Sequence, residues 1–131
     1  MISEDIITES ATVRVITHGI IENIINDYCT LERENVLEIK EVNKKLSKGK
    51  PYAVLVDSGM YTTISTEARE LLASKEFAEI TIAKALLVRS LGHRIVGQFY
   101  IRINKPFIPT KIFSDREEAI KWLSAQLSNI K

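Results

Sequence analysis

The sequence predicts an α/β fold: one mixed sheet of about five strands packed with about four helices, in the order β-β-α-β-α-β-α-β-α. Three observations predict it. Short apolar or alternating runs take turns with stretches whose apolar residues recur every three to four positions. The connections between them are short and carry Gly, Pro, Asn and Asp. One run, Tyr52 to Val56, is apolar throughout, as a strand buried on both faces of a parallel sheet requires. With 131 residues, 45% of them hydrophobic, the chain can build one core, so a single domain over 1–131 is expected.

The elements follow in order. Ala11, Val13 and Val15 alternate with Thr12, Arg14 and Ile16, and a second apolar run covers Ile20 to Ile25. His18-Gly19 between them suits a hairpin turn at positive φ, with His18 as a turn residue. From Thr30 the period becomes helical. Val36, Ile39, Val42 and Leu46 form the inner stripe, and Glu32, Glu34, Lys40, Glu41, Lys44 and Lys45 form a solvated face. Thr30 is the expected cap, and Gly49 and Pro51 stop the helix. After the central strand, Asp57-Ser58-Gly59 opens a hydroxyl-rich loop that leads to a helix from about Thr66, with Ser65 as N-cap and Ala68, Leu71 and Leu72 inward.

A further strand is expected around Ala83 to Val88, followed by a helix with Leu91, Ile95, Phe99 and Ile103 four apart. Val96, Tyr100 and Ile101 widen that stripe, and Gly92 and Gly97 suggest close backbone packing on it or, less commonly, an approaching ligand. Asn104-Lys105-Pro106 ends the helix, and Thr110 to Phe113 makes a last short strand. Ser114-Asp115-Arg116-Glu117 has the capping-box pattern before a helix that buries Ala119, Ile120, Leu123 and Leu127 beside Trp122.

Composition narrows the function. With 18 basic and 17 acidic side chains the net charge is +1, which lacks the long-range pull of a nucleic-acid binder; no nucleic-acid partner is expected. No apolar run approaches the length of about 20 residues that spans a bilayer, and the acidic start is unlike a secretory signal, so no transmembrane segment is expected. The lone Cys29 closes no intrachain disulfide and supports no Cys-based zinc site, in keeping with a reducing cytoplasm. Nucleophile-elbow, phosphate-loop and His-Glu-x-x-His motifs are absent, and there are two histidines. No catalytic residue, metal site or cofactor is assigned, and the chain is not expected to be an enzyme.

The element order, together with Gly49 to Asp57, Ile64 to Leu72 and Asn104 to Phe113 with the capped last helix, resembles the SpoIIAA-like superfamily. That superfamily contains STAS domains and, within it, small bacterial single-domain proteins of the STAS/SEC14-like type. The resemblance implies a non-enzymatic regulatory module that binds another protein. It also implies a switch: STAS anti-sigma-factor antagonists carry a phosphorylatable Ser at the start of the helix after the central strand, in a sequence close to Asp-Ser-Ser-Gly. Placed on this chain, Thr66 falls on or beside that position, Ser65 replaces the Asp and Ala68 the Gly. Asp57, Ser58, Thr62, Thr63, Ser65 and Thr66 are the candidate switch or interaction loop. Ser65 and Thr66 equally suit the plain work of capping and opening a helix, and Glu67 would oppose a phosphate there.

The loop Arg89 to Arg94 lies at the carboxyl end of another expected strand, where open α/β sheets bind ligands. The two loops could face one shallow cleft. Arg89, His93 and Arg94 are candidate anion contacts, with Phe99 in an apolar stripe that could hold a nonpolar tail. Plain solvated residues of a first helical turn are the alternative. The SEC14 side of the resemblance implies a second function, a small carrier or sensor of a lipid-like or other apolar small ligand. The same stripe also suits a homodimer interface.

Overall fold

The computed structural model describes residues 5–17 and 19–129. A two-residue edge strand, β1 (Ile6–Ile7), pairs antiparallel with β2 (Ala11–Thr17), which pairs antiparallel with β3 (Ile20–Ile25). The expected turn residue His18 lies outside the described residues; its neighbour Gly19 has φ +82°, a conformation glycine takes without strain.

Two residues, Thr30–Leu31, form β4 ahead of α1 (Arg33–Leu46). This corrects the expected cap. Thr30 pairs with a neighbouring strand, and Glu32 occupies the N-cap with its backbone N–H donating to Asn35 Oδ1 at 2.8 Å. The sheet then takes β5 (Tyr52–Asp57), and β6 (Thr63–Ile64) makes a small parallel ladder with β4. Helices α2 (Thr66–Ala73) and α3 (Lys75–Ala78) lead to β7 (Thr81–Leu87).

The stripe helix is shorter than its period suggests. It is α-helical as α4 (Leu91–Phe99) and widens to a π-helical turn over Tyr100–Asn104, which Lys105 ends in the left-handed conformation at φ +51°. Then come β8 (Thr110–Phe113) and α5 (Arg116–Ser128). The cap of α5 is Asp115, whose carboxylate accepts from Glu117 N at 3.1 Å, in place of the expected Ser114. A carboxylate at that position also meets the positive end of the helix dipole.

The main sheet has the order β1-β2-β3-β5-β7-β8, and the four strands from β3 to β8 run parallel. The central strand β5 is flanked by β3 and β7, as its unbroken apolar run requires. Each parallel strand lies beside the last, so crossovers of one hand place their helices on one face. On that face α1 covers Ala11, Val13, Ile21, Ile25 and Val54. The opposite face carries α5, whose Ala119 and Leu123 pack on Ile20, Leu55, Ala83 and Ala85. The fold class is the expected α/β one, with six strands in the main sheet and five helices.

One irregularity sets up the site. In a regular strand Thr81 and Ala83 would point to the same face. A register shift opposite Tyr52 and Ala53 leaves Ile82 as the extra residue of β7, so Thr81 joins Lys84 beneath α1 while Ala83 and Ala85 stay beneath α5.

Candidate functional site

The candidate loop residues divide between two places. Asp57, at the end of β5, is buried and accepts from Arg89 Nε at 2.9 Å and Nη2 at 2.8 Å. This bidentate pair occupies both residues with each other, and hydrogen bonding to Asp57 pushes the Arg89 pKa up. The pair borders a shallow depression with Ser90, Arg94, Ser114 and Arg116. Ser58, Thr62, Thr63 and His93 instead line a cavity on the opposite side of the sheet. Successive residues on a helix diverge by about 100°, so His93 and Arg94 serve different surfaces.

Gly59 allows the chain to leave β5 in this direction. A Cβ there would lie 2.5 Å from Ile25 O and 2.7 Å from Asn26 O, so the loop presses on β3's backbone and only glycine fits. Thr62 Oγ1 donates to Gly59 O at 3.2 Å, and the exposed Tyr61 stacks on Tyr28 with ring centroids 5.3 Å apart. At the loop's end Ser65 is the N-cap of α2, its hydroxyl accepting from Ala68 N at 3.1 Å. Thr66 is exposed, and Arg69 Nη2 donates to its Oγ1 at 3.2 Å.

Arg69, which the sequence did not single out, joins this loop to α4. Its Nη1 donates to Ile64 O at 3.0 Å, and its guanidinium lies 5.3 Å from the centre of the Phe99 ring. The stripe itself stays on the surface: Leu91 is 73% exposed, Ile95 56%, Phe99 47% and Ile103 58%. Tyr100 turns inward instead and is buried. Of the two helix glycines, Gly97 is the packing one, since a Cβ would meet Ile112 Cδ1 at 3.0 Å; Gly92 meets only Ser90 Oγ, at 3.8 Å.

The cavity between the sheet and α1, α2 and α4 has a volume of about 180 Å³. Its walls include Val54, Leu72, Leu86, Val96 and Ile108. Thr63 and Val96 both line it and are exposed, which places its mouth between the hydroxyl loop and α4. At the other end stand two lysines. Lys40, expected on the solvated face of α1, is 4% exposed, and its Nζ donates to Ala78 O at 2.9 Å and Thr81 Oγ1 at 2.6 Å. The correction has a geometric reason: Lys40 follows Val36 by four residues and Ile39 by one, so it shares their inward side. The rings of Phe77 and Tyr52 lie 5.0 and 5.5 Å from its ammonium.

Lys84, in the centre of β7, is 6% exposed, and its Nζ meets the Tyr100 hydroxyl at 3.5 Å. Burial lowers both lysine pKa values to about 8; for Lys40, Glu79 and Glu41 pull upward and Lys44 downward, and for Lys84 the charge of Lys40 adds to the lowering. Burial raises the pKa of Tyr52 and of Tyr100, keeping both hydroxyls protonated. Cys29 is half-buried and its thiol is pushed up by burial and by Glu9, the reverse of what a reactive thiolate needs.

The opposite face treats charge differently. Glu22 on β3 is 1% exposed and is held by Arg116 of α5 through both terminal guanidinium nitrogens, Nη1 and Nη2. Each buried carboxylate there, Glu22 and Asp57, therefore has its own arginine. Among the described residues no group of three or more His, Cys, Asp or Glu is arranged to hold a metal ion, and no helix is long and apolar enough to cross a membrane.

This geometry has known counterparts. A crystal structure of an uncharacterized protein of the DUF3478 family from Shewanella loihica PV-4, described as having a SpoIIAA-like fold, is 12% identical, with 92% of this chain and 91% of that one covered and a TM-score of 0.53. It shows that the chain has the SpoIIAA-like fold. The Bacillus cell fate determinant SpoIIAA in its phosphorylated form is 18% identical over 84% of this chain and 96% of that one, TM-score 0.48. The anti-sigma factor antagonist SpoIIAA in its unphosphorylated form is 16% identical over 90% and 97%, TM-score 0.47. These two similarities fall too low to carry a functional argument. No curated protein matches. A family model does match, over residues 14–127, and the chain belongs to that family, the domain of unknown function DUF7793.

Proposed function

We propose that this chain is a non-enzymatic regulatory module that docks a partner protein through the outer face of α4 and the start of α2. The observation that supports it is the row Leu91, Ile95, Phe99 and Ile103, four apart in sequence and each about half exposed or more. Burying what remains of such side chains is worth about 1 kcal/mol each. Polar groups adjoin the row where specificity would be set, at Thr66 and Arg69.

Arg69 makes that edge switchable. It touches Thr66 on one side and Phe99 on the other. A phosphoryl group on Thr66 would sit at a helix N-terminus beside this guanidinium and draw it from the Phe99 ring. The neighbouring Glu67 opposes that charge. The test compares proteins recovered from the native source on wild type, Ile95→Asp, Phe99→Asp and Thr66→Glu. A partner held by wild type should be lost from both apolar variants and change in yield with Thr66→Glu. Retention on Ile95→Asp and Phe99→Asp alike would refute docking through α4. Sedimentation at micromolar concentration shows whether that partner is a second copy of the chain.

A second reading takes its support from the cavity. A volume of about 180 Å³ with mostly aliphatic walls suits a small apolar molecule, in the manner of a carrier or sensor.

A further inference from the structure

Among the described residues that line the cavity, its inner end holds two lysines and no carboxylate. An ammonium has three donors. Lys40 uses two, on Ala78 O and Thr81 Oγ1, and Lys84 reaches only the Tyr100 hydroxyl, at the outer limit of a hydrogen bond. Among the described residues no carboxylate lies within ion-pair distance of either, the ion pairs all falling elsewhere. Unpaired donors on two charges less than a tenth exposed are costly in a folded protein. The other face shows that this chain pairs a buried charge when the charge is structural: Glu22 has Arg116 and Asp57 has Arg89.

We propose that the cavity is a binding site for a small organic monocarboxylate, with the carboxylate between Lys40, Lys84 and the Tyr100 hydroxyl and the apolar body against Val54, Leu86 and Val96. The proposal rests on the cavity reading above and adds the charge of the ligand. Two carboxylate oxygens match the donors left free on the two lysines, and the Tyr100 hydroxyl, still protonated, supplies another. A cavity of about 180 Å³ is comparable to the ~150 Å³ that admits a benzene-sized body, which sets the scale of the apolar part. Phosphate fits less well. Arg69, the arginine among the cavity's lining residues, is engaged by Ile64 O, Thr66 Oγ1 and the Phe99 ring, and a second negative charge would be dearer to desolvate.

The experiment is calorimetric titration and thermal-shift measurement on the full chain with a series of straight-chain carboxylates from acetate to octanoate and with benzoate. Each is paired with its primary amide, and inorganic phosphate is run alongside. At least one carboxylate should bind and raise the melting temperature, with its amide at least tenfold weaker. Lys84→Met and Lys40→Met, each checked for cooperative unfolding, should weaken that carboxylate at least tenfold and leave the amide unchanged. Equal binding of amide and carboxylate would overturn the anion site while the apolar-cavity reading stood. Binding of neither would overturn both, and binding of phosphate alone would overturn the choice of carboxylate.

Discussion

Lys84→Met removes a charge from the middle of a central strand, where the side chain is 6% exposed and has one long hydrogen bond. Its pKa is lowered from 10.5 to about 8 in the folded protein, chiefly by burial and further by the charge of Lys40. The unfolded chain therefore holds the proton more tightly than the folded one. Below pH 8 the lysine is charged in both states and the fold carries the full penalty, on the order of 3 kcal/mol. Between pH 8 and 10.5 the unfolded state binds more protons, so stability rises with pH across that window. From pH 7 to 9 the gain is about 1 kcal/mol for Lys84 and about the same for Lys40, whose pKa is also about 8.

Four groups oppose the rise at its upper end. Cys29, Tyr52, Tyr100 and Lys44 have raised pKa values, so the folded state keeps protons that the unfolded chain releases above about pH 9 to 10. The favourable window is thus pH 7 to 9. Urea denaturation of wild type without added carboxylate should show the midpoint climbing across it at constant slope. In Lys84→Met the climb should fall by about half. That variant should also exceed wild type at pH 7 by about 1 to 3 kcal/mol, because a flexible apolar side chain replaces an uncompensated charge. A wild-type curve that is flat or falling from pH 7 to 9, or a Met variant less stable at pH 7, would refute the reasoning.

Arg116→Met is expected to act in the opposite direction, leaving Glu22 buried without its cation and costing about 2 to 3 kcal/mol, since the exposed side of the guanidinium moderates the full effect. Chemical denaturation measures it, and a loss below 0.5 kcal/mol would show that Glu22 does not depend on the pair. Gly59→Ala drives a methyl group into the Ile25 and Asn26 carbonyl oxygens and should cost about 1 to 3 kcal/mol, read as a lower melting temperature; an unchanged one would deny the close approach. Ser65→Ala removes the α2 cap and should cost about 1 kcal/mol without changing the carboxylate titration.

Much of the architecture was legible in the sequence because period and burial coincide. Tyr52 to Val56 is apolar at every position and proved to be the central parallel strand, and the alternation at Ala11 to Val15 matches its place on a hairpin. Caps were less legible where several capping residues stand together. Thr30 and Ser114 are good caps in isolation, but Thr30 pairs with Thr63 in a short ladder and Asp115 lies one residue nearer its helix. The π-helical turn after Phe99 has no sequence period of its own, so the stripe read as one helix through Ile103.

Of the site, the hydroxyl loop and His93 were visible as loop residues after buried strands, whereas the lysine end was not. Lys40 looked like one of six charges on a polar face, although its angular position beside Ile39 already placed it inward. Lys84 was embedded in Ala83-Lys84-Ala85-Leu86-Leu87, a run read for its apolar members alone. A charge inside a strand buried on both sides was itself the signal, since such a residue must be paired or be waiting for a partner. The bulge at Ile82 then turned Thr81 toward it, a local choice of register that no pattern of hydrophobicity encodes.

The two faces of the sheet thus carry buried charge on different terms. Under α5, two carboxylates are neutralised by two arginines that arrive from the loop after β7 and from α5's first turn, so the chain is electrically complete there. Under α1 and α4, two ammonium groups face a cavity whose walls, among the described residues, supply hydroxyls, carbonyls and rings but no carboxylate. Hydrophobic residues at Lys40 and Lys84 would make a more stable core at lower electrostatic cost. Retaining charge at both positions makes sense if the negative partner arrives from outside, and the cavity's mouth opens beside the same α4 whose outer face is left uncovered. A ligand on the inside of α4 and a protein on its outside would then bias one helix from two sides. Carboxylate binding should in that case change the affinity of whatever docks on Leu91, Ile95 and Phe99, by a factor reciprocal in the two ligands.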